Sequence, residues 1–318
     1  MFHQLDAKLQ LFDFFALGYP AIFGASLGGA VVSSGSAEFG AGDSVVASTP
    51  TYFWRDNRYG TFQRCALVRA SNAIKVTGEG YNVLDAVTIP TQAGIAALAL
   101  GQVAGLERPI PGVAKKEGTI VVWGAGSTVG TYAVQYASQA DYTVIATANL
   151  SSPAEEERVK SLGVSHVINY RLPAQETVDA LKGYGPFTAI LDAAAQPSSL
   201  GPLSTLLLAT QPDASKRVIH SMGPDGQNVT DDSVTVRYTS FAKLGFGAKS
   251  DGTREEGGAS DKWLKGLWGH GGWLRRGVNE KSVVAQKADV TEGVLEKVQE
   301  CLDKVIKAKG SQVVLKLV

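Results

Sequence analysis

Cysteine is scarce in this chain: Cys65 and Cys301 are the two it has in 318 residues. They stand far apart without metal-ligand spacing, so neither a disulfide scaffold nor a cysteine metal site is supported. A reducing, cytoplasmic compartment is the simpler expectation. An excess of one charge is also missing. Lys plus Arg and Asp plus Glu both number 30, which argues against a nucleic-acid partner, whose binders carry a basic excess or stripe. The same balance gives no reason to expect an anionic membrane surface. No apolar run is long and unbroken. The longest, Val87 to Leu106, is interrupted by Pro90, Gln92, Gly94, Gly101 and Gln102, too often for a lone membrane helix. Met1 to Gly24 carries Asp6, Lys8 and Asp13 and lacks the basic start and clean apolar centre of a signal peptide. Without such a signal, the sequons at Asn149 and Asn228 read as chance matches.

What is present is an ordinary globular mixture, 44% hydrophobic and 19% charged, with no internal repeat. At roughly 100–200 residues per domain, the length predicts two domains. The first third reads as β-rich. Ala30 to Val32, Ser44 to Ala47 and Cys65 to Val68 are short runs separated by Gly, Ser and Asp turns, the pattern of a small barrel or sandwich.

The middle third changes rhythm. Thr119 to Trp123 is a continuous apolar run, as expected of a strand buried on both faces of a parallel sheet. A helix from about Val129 to Ala140 follows, with Val129, Ala133, Tyr136 and Ala140 on one face. Strands at 142–146, 164–168 and 189–191 alternate with helices at 153–162 and 177–181, giving an α/β doubly wound sheet. Ser250 to Ser260 reads as a loop returning the chain to the first domain. From Asp289 the spacing of Asp289 and Glu292 predicts a capped helix. Its apolar stripe is Val294, Leu295, Val298, Leu302, Val305 and Ile306. Gly310 would end it, before a strand at 313–318.

Between the first buried strand and its helix lies Gly124-Ala-Gly126-Ser127-Thr128-Val129-Gly130. A helix N-terminus offers a pyrophosphate both N–H donors and positive potential, and glycine lets the phosphates approach the backbone. Gly130 lets helix and strand pack closely. The spacing is one residue longer than GxGxxG, and a turn in some other βα unit is the rival reading. The strand–turn–helix context favours a dinucleotide. The second strand runs on through Ala146, Thr147, Ala148 and Asn149, with no Asp or Glu where an NAD-binder holds the ribose hydroxyls. That favours NADPH, whose 2′-phosphate a carboxylate would repel. Lys160 and Tyr170 stand downstream. Lys160 is equally a solvated helix charge, and Tyr170 equally a core aromatic.

On these residues the chain resembles the medium-chain dehydrogenase/reductase superfamily, and within it the zinc-independent quinone-reductase and enoyl-reductase branch, especially fungal trans-acting polyketide enoyl reductases. Matching stretches include Tyr19 to Gly24, Gly40 to Val46, Gly60 to Gln63, Ala86 to Leu98, Ile120 to Ala137, Lys160 to Gly163, Asn169 to Arg171 and Ser311 to Leu317. The resemblance implies a GroES-like substrate domain from both chain ends, 1–97 and 250–318, and a Rossmann-type NADPH domain at 98–249. It implies NADPH in the cleft between them and hydride delivery to the β-carbon of an activated alkene. It places Ser127, Thr128 and Val129 near the pyrophosphate, Lys160 and Tyr170 near the 2′-phosphate, Thr91 near the nicotinamide ribose, and His220, Ser221 and Met222 on the nicotinamide side.

The departures from that family are specific. Gly24-Ala25-Ser26 stands where zinc-dependent members carry Gly-His-Glu, and a four-cysteine lobe is missing, so no zinc of the family type is expected. The chain opens at the family's Asn-Pro-x-Asp-x-Lys segment, as His3-Gln4-Leu5-Asp6-Ala7-Lys8. A first lobe of several strands is thus expected to be absent, leaving an open edge for a partner chain or loop to cover. Lys8 is a candidate for contact with substrate or cofactor, against a surface charge at a helix start, and His220, at the end of a strand facing the cofactor, is a candidate for catalysis or substrate orientation. Val46 replaces a family Tyr. His270, in a Gly/Trp-rich segment, reads as structural. Trp263, Trp268 and Trp273 read as junction packing or a cleft wall. The expected partner is a small-molecule substrate, carried by a polyketide synthase in one version. Reduction of a conjugated C=C bond leads. Quinone reduction, or a repurposed cyclase or synthase-binding member, stands as the alternative.

Overall fold

A computed structural model describes residues 1–13, 16–112, 117–223, 229, 231–239, 261–307 and 312–318. The chain divides into two compact units, Met1–Gly94 with Ala242–Val318, and Ile95–Phe241. The expected return loop at Ser250 to Ser260, Gly310 and the sequon at Asn228 lie outside the described residues.

The first unit opens with helix α1 (Gln4–Phe12), whose start is tied by the Asp6 carboxylate accepting from the His3 backbone N–H at 2.6 Å. Strands β1 (Ser26–Ala30), β2 (Ser44–Ser48) and β3 (Ala73–Lys75) form one antiparallel sheet in that order. Phe39, Val45, Ala47 and Ala73 bury its inner face. The expected strand at Cys65 to Val68 does not form. Leu67 donates locally to the Arg58 carbonyl at 2.7 Å, and no strand lies beside this segment among the described residues. Among the described residues neither barrel nor sandwich closes, and β1 pairs with β2 alone. A groove of about 1590 Å³, lined by residues of β1, of 61–68 and of the C-terminal strand, opens along this unit.

Residues 83–103 make a helical stretch, within which α2 spans Pro90–Ala97. By length and composition this stretch could cross a membrane, but 83% of its most apolar window is buried inside the protein. Residues 87–89 form a turn between its first segment, Val83–Ala86, and α2. Pro90 sits in the first turn of α2, where a missing N–H costs nothing.

The second unit is a doubly wound α/β fold. Strand β4 (Thr119–Trp123) feeds α3 (Thr128–Gln139), then β5 (Thr143–Ala148), α4 (Pro153–Ser161), β6 (His166–Asn169), α5 (Ala174–Lys182), β7 (Ala189–Asp192), α6 (Leu200–Thr210), β8 (Val218–Ser221) and β9 (Thr235–Tyr238). All are parallel, in the order β6-β5-β4-β7-β8-β9. Ile120, Val121 and Val122 are fully buried, each contributing about 1.5–3 kcal/mol. The switch point, where successive strands turn outward in opposite directions, falls between β4 and β7. Ligands of such sheets bind beside it, at the carboxyl ends of the strands.

Back in the first unit lie α7 (Asp261–Trp268), α8 (Trp273–Asn279), β10 (Ala288–Gly293), α9 (Val298–Lys307) and β11 (Gln312–Leu317). The helix expected from Asp289 starts only at Val298. Asp289 and Glu292 instead belong to β10, paired in parallel with β11 from Ala288↔Gln312 to Gly293↔Leu317. Of the expected stripe, Leu302 and Val305 are buried with Cys301 and Phe2, whereas Val294 and Ile306 are exposed.

Candidate cofactor site

The glycine-rich turn is held from three sides. Thr147, buried at the end of β5, accepts from the Gly124 N–H with its hydroxyl at 3.0 Å. Its carbonyl accepts from Gly124 and Ala125 at 3.2 and 2.8 Å. Gly124 has φ of +90°, and a Cβ there would lie 2.9 Å from the Cβ of Ala194, so the turn closes against the segment after β7. A Cβ on Gly130 would lie 2.2 Å from the Gly124 carbonyl oxygen, so only glycine lets α3 start this close to its strand. Ser127 caps α3, its hydroxyl accepting from Gly130 N–H at 3.0 Å. The first-turn amides of a helix have no acceptor within it, and Thr128 and Val129 open α3.

The carboxyl ends of the central strands line up in one row. Thr147 pairs with Trp123, Trp123 with Asp192, and Asp192 with Ser221. Beyond the row, Ala193 and Ala194 donate to the Trp123 carbonyl at 2.9 and 3.1 Å, and Met222 to the Asp192 carbonyl at 3.0 Å. Asp192 is buried. One carboxylate oxygen accepts from the Ala194 and Ala195 amides, and the other from the Ser199 hydroxyl at 2.7 Å and the Ser221 hydroxyl at 3.3 Å. Burial still pushes its carboxyl above the usual range, against those hydrogen bonds. Sequence reasoning missed Asp192. A polar residue closing the apolar run Ala189 to Leu191 was the available signal.

The structure thus brings together Gly124, Gly126, Ser127, Thr128, Val129, Gly130, Thr147, Ser221 and Met222. His220 points elsewhere along β8. It is buried, its Nδ1 has no hydrogen-bond partner among the described residues, and burial together with the Arg237 charge lowers it to about 4. It is therefore neutral near pH 7. Lys160 pairs with Glu156 at 2.6 Å on the exposed side of α4. Tyr170, just beyond β6, is 45% exposed rather than a core aromatic. Lys8 is exposed on α1, and Lys8 and Thr91 both belong to the first unit.

No protein-family model matches the chain. Trans-enoyl reductase himH of Aspergillus japonicus is 32% identical over 173 residues, 53% of this chain and 49% of that protein, so the chain spans about half of that relative. Trans-enoyl reductase tazE of Aspergillus terreus is 30% identical over 215 residues, 64% of this chain and 68% of that protein. The chain belongs to the trans-enoyl reductase family. The fold is that of the medium-chain dehydrogenase/reductase superfamily. It superposes on CurK enoyl reductase with a TM-score of 0.67 at 16% identity, over 99% of this chain and 88% of that one. It also superposes on a mycobacterial protein crystallised with NADPH, with a TM-score of 0.62 at 18% identity, over 93% and 84% of the two chains.

The first unit holds a second polar cluster that the sequence did not reveal. Asp6 accepts from the Tyr52 hydroxyl, and burial raises it to about 6. Tyr52 in turn accepts from Gly24 N–H at 2.8 Å. His3 Nδ1 faces the Gln92 amide nitrogen at 2.6 Å and His3 Nε2 the Ser26 hydroxyl at 2.7 Å. An amide nitrogen only donates, so Nδ1 is the acceptor and Nε2 carries the proton. Ser26, Thr91 and Ser48 then link hydroxyl to hydroxyl. Thr91 is thus committed to a buried chain in its own unit. Among the described residues, no group of three or more His, Cys, Asp or Glu is placed to hold a metal. Cys65 and Cys301 are both free thiols. His270 is exposed, and Trp268 and Trp273 are buried core residues.

Proposed function

We propose that this protein is an NADPH-dependent, zinc-independent reductase of the conjugated C=C bond of an unsaturated carbonyl compound, a polyketide intermediate held as a thioester by a synthase carrier. The observation that carries this reading is the Gly124-to-Gly130 turn at the switch point, in a chain of the trans-enoyl reductase family. The residues fit a dinucleotide. Gly124 and Gly130 are filled by their own surroundings, whereas a Cβ at Gly126 would meet only side-chain ends, at 3.5 and 3.9 Å. Room remains there for phosphates to approach the backbone.

Bound NADPH supplies the hydride. The amides at the start of α3 would hold its pyrophosphate, with the helix dipole aligned to the charge. Thr147 fixes the turn that presents them. The absence of a carboxylate at Thr147 to Asn149 leaves a 2′-phosphate unopposed by β5. A substrate thioester already polarises its alkene, so hydrogen-bond donors to the developing enolate oxygen can replace a metal. The Gly24-Ala25-Ser26 segment, without the family's zinc-ligand His, supports that route.

The test is NADPH absorbance with the purified protein and a panel of enoyl thioesters, enones and quinones. NADPH loss that requires an enoyl thioester or enone is the expected result. Turnover of quinones alone would reassign the protein as a quinone reductase. Substrate conversion without NADPH loss would make it a non-redox member, and the reductase reading would fall.

A further inference from the structure

The side chains that border Gly126 are not those the sequence singled out. They come from the first two turns of α4. A Cβ on Gly126 would stand 3.5 Å from Glu155 Oε1 and 3.9 Å from Arg158 Nη2. The two residues form a fork-to-fork pair, Arg158 Nε to Glu155 Oε2 at 2.8 Å and Nη2 to Oε1 at 2.7 Å. Lys160 lies two residues beyond Arg158, about 200° further round the helix, and its ammonium is engaged by Glu156. Among the described residues, the cation beside the phosphate turn is therefore Arg158.

The pair is also built to open. Arg158 and Glu155 side chains are 41% and 29% exposed, and pairs this accessible contribute little to stability. A guanidinium binds phosphate as readily as carboxylate, in the same two-pronged geometry. The Glu155 carboxylate and a phosphate would compete for the same fork. Glu155 itself would repel a phosphate placed there.

We propose that the Glu155–Arg158 pair is the device that sets the choice between the two nicotinamide dinucleotides: Arg158 leaves Glu155 to take the ribose 2′-phosphate of NADPH, and Glu155 opposes that transfer. This rests on the nicotinamide-cofactor reading above and names the discriminating residues of that site. Arg158 acts as the phosphate ligand and Glu155 as its competitor. The chain then binds NADPH less tightly than an Arg158 without a partner would allow.

Titration of the full chain with NADPH and with NADH, followed by tryptophan fluorescence, tests this. Arg158→Ala should weaken NADPH by about tenfold or more while leaving NADH within about twofold. Arg158→Lys should recover part of the loss. Glu155→Gln keeps the shape and removes the charge, and should tighten NADPH by about threefold without changing NADH. This variant carries the test if Arg158→Ala does not fold. Equal losses for both nucleotides, or an unchanged ratio in Glu155→Gln, would overturn the proposal while leaving the cofactor site standing. Failure of the unaltered protein to bind either nucleotide would overturn the cofactor reading itself.

Discussion

Two glycines four residues apart, Gly126 and Gly130, do different work in this turn, and substitution separates them. At Gly130 a methyl would press on the Gly124 carbonyl oxygen at 2.2 Å. That atom is backbone, so Gly130→Ala should cost about 2–3 kcal/mol of stability and lose nucleotide binding with it. At Gly126 the same methyl meets side-chain ends at ordinary distance. Gly126→Ala should therefore melt like the unaltered protein yet bind NADPH about tenfold more weakly or worse, because the methyl occupies the phosphate approach. Thermal melts beside nucleotide titrations check both, and equal behaviour of the two variants would contradict this division. His220 gives a second residue-level prediction. Its folded-state pKa of about 4 lies below the ordinary 6.5, so between these values the unfolded chain binds the extra proton. The stability it contributes is complete above pH 6.5 and is lost as pH falls toward 4, up to about 3 kcal/mol. His220→Leu should flatten that part of the stability profile, measured as melting midpoints across the acid range. An unchanged acid slope would show that this imidazole is not buried and neutral.

Elements were legible in the sequence where burial itself wrote the pattern. A strand covered on both faces must be apolar throughout, which is why Thr119 to Trp123 and Ala189 to Leu191 could be placed within a residue of β4 and β7. The Thr147 strand end was legible too, as the continuation of the buried second strand. The helix predicted from Asp289 failed because acidic spacing at a helix start and alternation along a strand share the same residues. What decided it was a partner, β11, over twenty residues away, and a parallel pairing of that kind leaves no local signature. Cys65 to Val68 failed in the opposite sense: the residues suit a strand, but among the described residues no strand stands beside them. Site residues followed the same rule. Arg158 escaped notice because it reaches the turn from another βα unit, and Asp192 because it closes a neighbouring strand, through packing that the spacing of the glycines does not encode.

The molecule as a whole is two cores on one chain. Ile145, Ile190, Leu203, Leu206 and Ile219 belong to the core of the second unit, whereas Phe2, Cys301, Leu302 and Val313 bury one another in the first. Every residue of the glycine turn and of the Thr147–Trp123–Asp192–Ser221 row belongs to Ile95–Phe241. A ligand that binds one unit adds its binding energy to that unit's folding equilibrium, about 2.7 kcal/mol at a hundredfold excess over Kd. Calorimetry should therefore show NADPH raising the transition of the second unit. Leu203→Ala, which opens a cavity in a fully buried site, should lower that same transition by about 2–5 kcal/mol of stability, and Leu302→Ala should lower the other. If NADPH instead protects the transition that Leu302→Ala weakens and spares the one that Leu203→Ala weakens, the nucleotide is bound by the first unit, and the glycine turn of the second is structural.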